Sequence, residues 1–301
     1  VTRIGSPIGR EVWVRSLEEI LSTLDADGKL DGLPFMPEMA RYCGQRFRIS
    51  HLLRRACVEG HARRRAMTDT LLLENLRCDG ASHDGCERGC RLLWKEAWLS
   101  DHPPVAREGI ASARTPATLK TKQGDRYYCQ STELAAATSE IRGQDVLHHL
   151  GDVWFGEISP AVFARHVARA VFNRLRRLAG VAARDEVHGG PHETDTVPLG
   201  LQAGEWVEVK SPEEIGTTLN DQGKNRGLAF DRAMLEYCGK RYRVLRRVDR
   251  IIQEETGRMV SLGNTVILDD VICRSFGCPR GNLFYWRETW LRRVATNAQV
   301  P

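Results

Sequence analysis

The sequence has no apolar run approaching the roughly 20 consecutive residues that a membrane-spanning helix requires. Its N-terminus lacks the charged-then-apolar pattern of a secretory signal. Neither a span nor a leader is expected, and the chain reads as cytoplasmic. Also missing are the short motifs of common chemistries: no Walker loop, no Gly-x-Ser-x-Gly elbow, no His-Glu-x-x-His helix, and no Gly-x-Gly-x-x-Gly after a strand. Charge of one sign does not dominate either. A formal net charge of +5 over 301 residues is a mild excess, too weak to announce a nucleic-acid binder by itself. What is present is an ordinary globular composition, 42% apolar and 28% charged, enough for two or three compact domains. Seven tryptophans and eight phenylalanines are spread along the whole length, which argues against a long disordered half.

The dominant feature is an internal repeat of about ninety residues. Gly9-Arg-Glu-Val12-Trp-Val14-Arg-Ser16 superimposes on Gly204-Glu-Trp-Val207-Glu-Val209-Lys-Ser211 at a shift of 195. Tyr42-Cys43-Gly44, Arg46 and Arg48 then meet Tyr237-Cys238-Gly239, Arg241 and Arg243 in the same register, which reaches Cys78 against Cys273 without a gap. After a loss of three residues, Gly85-Cys86, Arg88-Gly89, Trp94 and Trp98-Leu99 meet Gly277-Cys278, Arg280-Gly281, Trp286 and Trp290-Leu291. So many identities in one register point to duplication of a folding unit.

Within each copy, Val12/Val14 and Val207/Val209 alternate with polar residues, as a half-buried strand does. Ser16-Leu-Glu-Glu19 and Ser211-Pro-Glu-Glu214 open short helices with an N-cap and first-turn acids. Gly44-Gln-Arg-Phe47-Arg-Ile49 and Gly239-Lys-Arg-Tyr242-Arg-Val244 read as strands after a tight turn, and Glu254-Glu-Thr-Gly257 as a hairpin signal. The opening Gly-x-x-Val-x-Val, the Gly-Lys-x-Tyr-x-Val strand and the hairpin resemble small SH3-like barrels, a likeness that covers both copies but not the middle third. The expected fold is α+β: a first β-rich module over 1–100, a central helical segment with linkers over 101–203, and a second, degenerate module over 204–301.

Nine cysteines, an odd set with several at metal-ligand spacing, suit a reducing compartment better than a disulfide framework. Cys57, Cys78, Cys86 and Cys90, with His83 between the last three, form a glycine-rich cluster in the first copy. Tetrahedral zinc takes four such ligands on short loops, so Cys78, Cys86 and Cys90 with either Cys57 or His83 are candidate ligands. The second copy has Ile252 where Cys57 stands and Asn282 where Cys90 stands, and this joint loss favours Cys57 as the fourth. The spacing matches neither a paired Cys-x-x-Cys ribbon nor a ferredoxin run, and an iron-sulfur cluster and unligated thiols stay open as alternatives.

In the middle third, Gln130-Ser-Thr and Asp145 read as helix starts. Ser159-Pro160 opens a helix through Leu178 with an apolar stripe of Val162, Phe163, Val167, Val171, Phe172, Leu175 and Leu178, facing away from Arg165, His166, Arg169, Arg176 and Arg177. A basic amphipathic helix packs on its own protein or meets an acidic partner, protein, nucleic acid or membrane surface. Cys129 lies at a helix start, where a dipole stabilises a thiolate, and His148 or His149 could serve it as a base. Two functional readings follow. One is a metal-stabilised two-module binding or scaffold protein with a protein, acidic or nucleic-acid partner. The other is an enzyme of specialised or cell-surface metabolism, with Cys129, His148 and His149 at the junction of a module and the central helices.

Overall fold

Alternating valines and a following glycine turn are enough to start a sheet, and the first copy uses them so. In the computed structural model, which describes residues 7–61, 63–104, 119–141, 159–178, 189–190, 198–274 and 278–294, β1 (Glu11–Val14) turns its valines inward and leaves Glu11 exposed and Trp13 half-buried. It pairs antiparallel with β2 (Arg46–Leu52), Val12 opposite Phe47. β3 (Thr70–Arg77), β4 (Arg91–Lys95) and β5 (Leu99–Ser100) complete a five-stranded sheet in the order β4-β3-β2-β1-β5. Helix α1 (Leu17–Leu21) is closed by a capping box in which the Ser16 side chain accepts from Glu19 N–H and Glu19 returns the bond to Ser16 N–H.

The second copy repeats this organisation. Its sheet is built from β6 (Trp206–Val209), β7 (Arg241–Arg247), β8 (Thr265–Leu268), β9 (Trp286–Arg287) and β10 (Leu291–Arg293), in the order β9-β8-β7-β6-β10. Val207 faces Tyr242, Val266 faces Trp286, and the bulge between Ile49 and His51 recurs between Val244 and Arg246. Even the left-handed non-glycine residues coincide: Asp31, Asp69 and Asn75 correspond to Arg226, Asn264 and Asp270. In each sheet a single turn of 3-10 helix, Glu96–Trp98 or Glu288–Trp290, precedes the last strand.

Two units are distinguished. The first comprises Val1–Phe163, Arg250–Val260 and Ser275–Gly281; the second comprises Ala164–Asp249, Ser261–Arg274 and Asn282–Pro301. Two segments of the second copy therefore belong to the first unit. The core of the first unit centres on Trp94, Trp98, Phe35, Met39 and Ile49, with Phe35 edge-on to both indoles. The second unit repeats this with Trp286, Trp290 and Phe230. Trp98 Nε1–H donates to Thr23 Oγ1 at 3.1 Å, and Trp290 Nε1–H to Thr218 Oγ1 at 3.0 Å.

The expected α+β class with a central helical segment is corrected: among the described residues the regular structure is mostly antiparallel β-sheet with a few short helices. In the middle third, α2 (Pro160–Leu178) forms after Ser159 as its cap pattern predicts. After a short strand at Arg126–Tyr127, the stretch 130–137 instead runs as consecutive turns. Tertiary partners outcompete helix propensity there. Buried Gln130 takes the Leu93 N–H at 2.9 Å and donates to the Leu93 carbonyl at 2.8 Å, capping β4 where a sixth strand would sit, and Leu134 fills the core beneath. Farther on, Ser139–Glu140 pairs with Arg65–Ala66 as a strand. Helix α3 (Pro212–Gly216) is the second copy of α1, with the same capping box. The expected helix start at Asp145 lies outside the described residues.

Candidate functional site

The cysteine-rich loop connects β3 to β4, whose ends are joined at the Arg77–Arg91 pair. It closes through its backbone. Cys78 N–H donates to the Cys90 carbonyl at 2.8 Å, and inside it His83 and Gly85 both donate to the Gly80 carbonyl. Gly80 has φ +68, and a Cβ there would meet the Cys86 carbonyl oxygen at 2.0 Å, so the tight fold admits only glycine. The same closure recurs in the second unit, where Cys273 N–H donates to Asn282 O at 2.7 Å. The second loop keeps this closing bond without two of the candidate ligands, so the closure itself needs no metal.

The side chains agree with that conclusion. Cys78, Cys86, Cys90 and Cys129 line one cavity of about 30 Å³, with His83, Met36, Gln130 and Ile252 on its walls, room for one or two water molecules. Cys57 is not among them. His83 is 2% exposed and both of its ring nitrogens are engaged: Nδ1 with Glu38 Oε1 at 2.6 Å, and Nε2 with the Tyr128 carbonyl at 3.0 Å. It has no nitrogen left for a metal. Burial alone would push its imidazolium down and the Glu38 carboxyl up; the hydrogen bond and opposite charge of the partner outweigh burial, so His83 stands above its ordinary value and Glu38 below. The pair is a buried ion pair.

Burial first, and then the Glu38 carboxylate, push the Cys78 thiol up; burial also raises Cys86 and Cys129, the latter to about 11. With no ion beside them, these thiols are held neutral by burial. Among the described residues, no three His, Cys, Asp or Glu side chains form a group that could hold a metal ion. The metal-binding, zinc-clamped reading of Cys57, Cys78, His83, Cys86 and Cys90 is therefore corrected. Cys57 is elsewhere, His83 is spent on Glu38, and the remaining sulfurs share a cavity without converging.

Cys129 is 9% exposed, and its backbone N–H is taken by Thr132 Oγ1 at 3.0 Å. No dipole-stabilised thiolate results, because burial sets the balance. His148 and His149 lie outside the described residues.

A second constellation in the first unit was not legible from spacing. Residues related by the repeat shift meet and exchange the same bonds. Glu59 N–H donates to Glu254 Oε1 at 2.9 Å and Glu254 N–H to Glu59 Oε2 at 3.1 Å. Arg88 donates to the Ile252 carbonyl and to Glu59; Arg280 donates to the Cys57 carbonyl and bidentately to Glu254, at 2.7 and 3.2 Å. Cys57 N–H donates to Cys278 Sγ, and Ile252 N–H to Cys86 Sγ, both at 3.3 Å. This reciprocal knot fixes Arg250–Val260 and the described residues from Cys278 to Gly281 within the first unit. Gly257 ends the hairpin with φ +66, where a Cβ would meet Arg126 Cγ at 2.2 Å.

Burial would raise the Glu254 carboxyl, but the charge and hydrogen bonds of Arg280, with Arg88 and the Glu59 N–H, hold it below its ordinary value. Ser131 Oγ completes its shell at 2.9 Å. The one signal that could have found the knot was the pairing Glu59/Glu254 and Arg88/Arg280 in the repeat itself, acids and bases retained in loops.

No helix among the described residues is long and apolar enough to cross a membrane. Comparison with protein-family models, with curated proteins and with solved structures finds no match for this chain.

Proposed function

We propose that this chain is a two-module binding or scaffold protein, without a metal, that docks a groove of an acidic protein partner on helix α2. The observation that carries the reading is an apolar row left in solvent. Val167, Val171 and Leu175 recur at intervals of four and are 43%, 53% and 59% exposed. Contiguous exposed apolar side chains on one helix face mark an interaction site, since a helix of this pattern otherwise buries them. Pro160–Leu178 carries five arginines and no acid, and Arg165 and Arg174 are exposed beside the row. That charge selects carboxylates around an apolar groove, the helix-in-groove mode of recognition. The two sheets supply the frame, and their strand order and the 3-10 turn before the last strand support the SH3-like resemblance.

The test places a photo-reactive phenylalanine analogue at Val171 of the full chain in an extract of its source cells. One predominant cross-linked protein is expected, its cross-linked peptide mapping to a groove rich in Asp and Glu. The adduct should disappear with Val171→Glu combined with Leu175→Glu while the melting temperature is unchanged. Adducts to lipid or nucleic acid, or a large fall in melting temperature of the double variant, would overturn the reading.

A further inference from the structure

The two halves of the reciprocal knot differ at one position, Cys57 against Ile252, that changes their chemistry. At one end the Ile252 N–H points at Cys86 Sγ; at the other the Cys57 N–H points at Cys278 Sγ over the same 3.3 Å. The arginine that fixes each backbone is also equivalent, Arg88 on the Ile252 carbonyl and Arg280 on the Cys57 carbonyl. The geometry holding a sulfur against a neighbouring backbone thus exists twice, but only one end places a second thiol there. We infer that Cys57 and Cys278 are a peroxide-sensitive dithiol that closes to a disulfide, while Cys86, facing Ile252, stays a single thiol.

Three observations support this assignment. Cys278 Sγ accepts the Cys57 N–H at 3.3 Å, so the two thiol-bearing residues lie side by side. The neighbouring Cys57 side chain, with the Cys57 and Arg280 backbone N–H groups and the Arg280 charge, outweighs burial and draws the Cys278 thiol below its ordinary value. The Cys278 side chain, then burial, pushes Cys57 up. Cys86 shares its cavity with Cys78, Cys90 and Cys129 but has Ile252 at the equivalent place in the knot, and burial raises it. Finally, Cys57 is partly exposed, and the buried Cys278, 9% exposed, lies beside it, so a small oxidant approaches the pair from the Cys57 side. An attacking thiolate, an adjacent resolving thiol and an approach path are the requirements for a redox pair.

The oxidant is a hydroperoxide. Cys278 Sγ as thiolate attacks the terminal oxygen; an S–O bond forms, the O–O bond breaks, and the departing alkoxide or hydroxide takes up a proton. Cys57 then attacks the sulfenic sulfur of Cys278. The S–S bond forms, the S–O bond breaks, and hydroxide leaves as water with the proton from the Cys57 thiol. Two thiols are oxidised by two electrons, and one hydroperoxide is reduced to an alcohol, or to water, plus water. The product joins residues 221 positions apart, and it ties the segment at Cys278 covalently to the segment at Cys57.

The experiment treats the reduced full-length protein with stoichiometric hydrogen peroxide, blocks remaining thiols with N-ethylmaleimide, and maps disulfides by mass spectrometry without reduction. A Cys57–Cys278 cross-linked peptide is expected as the first product, with Cys86 still alkylated. In Cys57→Ser the cross-link disappears, and in Cys57→Ala, which removes the side-chain donor altogether, iodoacetamide labels Cys278 about tenfold more slowly near neutral pH. Ile252→Cys, which installs the missing thiol at the equivalent end, should create a second cross-link to Cys86. Oxidation that leaves Cys57 and Cys278 both alkylated, or that pairs either with a third cysteine first, overturns the inference.

Discussion

Replacing Glu254 by glutamine and, separately, Glu59 by glutamine should give very different losses of stability, although the two carboxylates occupy equivalent positions in the repeat and make equivalent bonds. Each accepts a backbone N–H from the other, and each takes a guanidinium, Arg280 for Glu254 and Arg88 for Glu59. They differ in what surrounds them. The Glu254 side chain is 2% exposed and its Arg280 partner 7%, whereas the Glu59 side chain is 47% exposed. Removing one charge from a buried pair leaves the other desolvated and uncompensated, which costs about 3–5 kcal/mol. A half-exposed carboxylate is screened by water, and its loss costs about 0–1 kcal/mol.

Glu254→Gln keeps the shape of the side chain and one acceptor oxygen, so the difference isolates charge. Urea denaturation followed by tryptophan fluorescence and far-UV circular dichroism measures it, and the m-value should be unchanged if only stability moves. Pairing Glu254→Gln with Arg280→Met should recover a large part of the loss, since an apolar pair of similar size is tolerated where a lone guanidinium is not. Equal small losses for both single variants would refute the reasoning, because the knot would then be solvated at both ends.

Other outcomes follow from the same geometry. The raised His83 contributes stability fully below its ordinary value near 6.5 and loses it as pH rises through the higher folded value, while the lowered Glu38 loses its contribution as pH falls below about 4.5. The destabilisation of His83→Gln should therefore be largest near pH 5–6 and shrink at alkaline pH; a denaturation series showing a gap independent of pH would contradict the ion pair. Gly80→Ala should cost well over the about 1–2 kcal/mol of a left-handed alanine, since its Cβ strikes the Cys86 carbonyl, whereas Gly124→Ala, with φ +60 and open space around it, should cost only that conformational amount. Similar melting temperatures for the two variants would show that the cysteine loop yields. A strong chelator should leave the thermal unfolding of the reduced protein where it was, and a shift of several degrees would reinstate a metal.

Much of the architecture was legible because it depends on neighbours a few residues away. Alternation of Val12 with Val14 and of Val207 with Val209 is a period-two pattern that only a half-buried strand satisfies. The Ser16–Glu19 and Ser211–Glu214 caps close over three residues, and the Ser159–Pro160 start of α2 needs no distant partner. The repeat register carried directly into the two sheets, bulges included. The turn-rich stretch around Gln130 was misread for the opposite reason. Its local pattern permits a helix, but a buried amide satisfying both backbone groups of Leu93 holds it open.

The cysteines mark the limit most clearly. Spacing in the chain says which sulfurs are able to meet, and Cys78, Cys86 and Cys90 do share a wall. It does not say that His83 will be consumed by Glu38, 45 residues away, or that Cys57 will turn to Cys278. Strand pattern, caps and turn glycines are written within one or two turns of each residue, and the duplication is read by laying the covalent chain against itself. Which ion pairs are buried, which thiol faces which, and the entry of Arg250–Val260 into the first unit were decided by tertiary packing. Desolvation there sets the worth of every charge and thiol, and it depends on atoms that local sequence does not bring near.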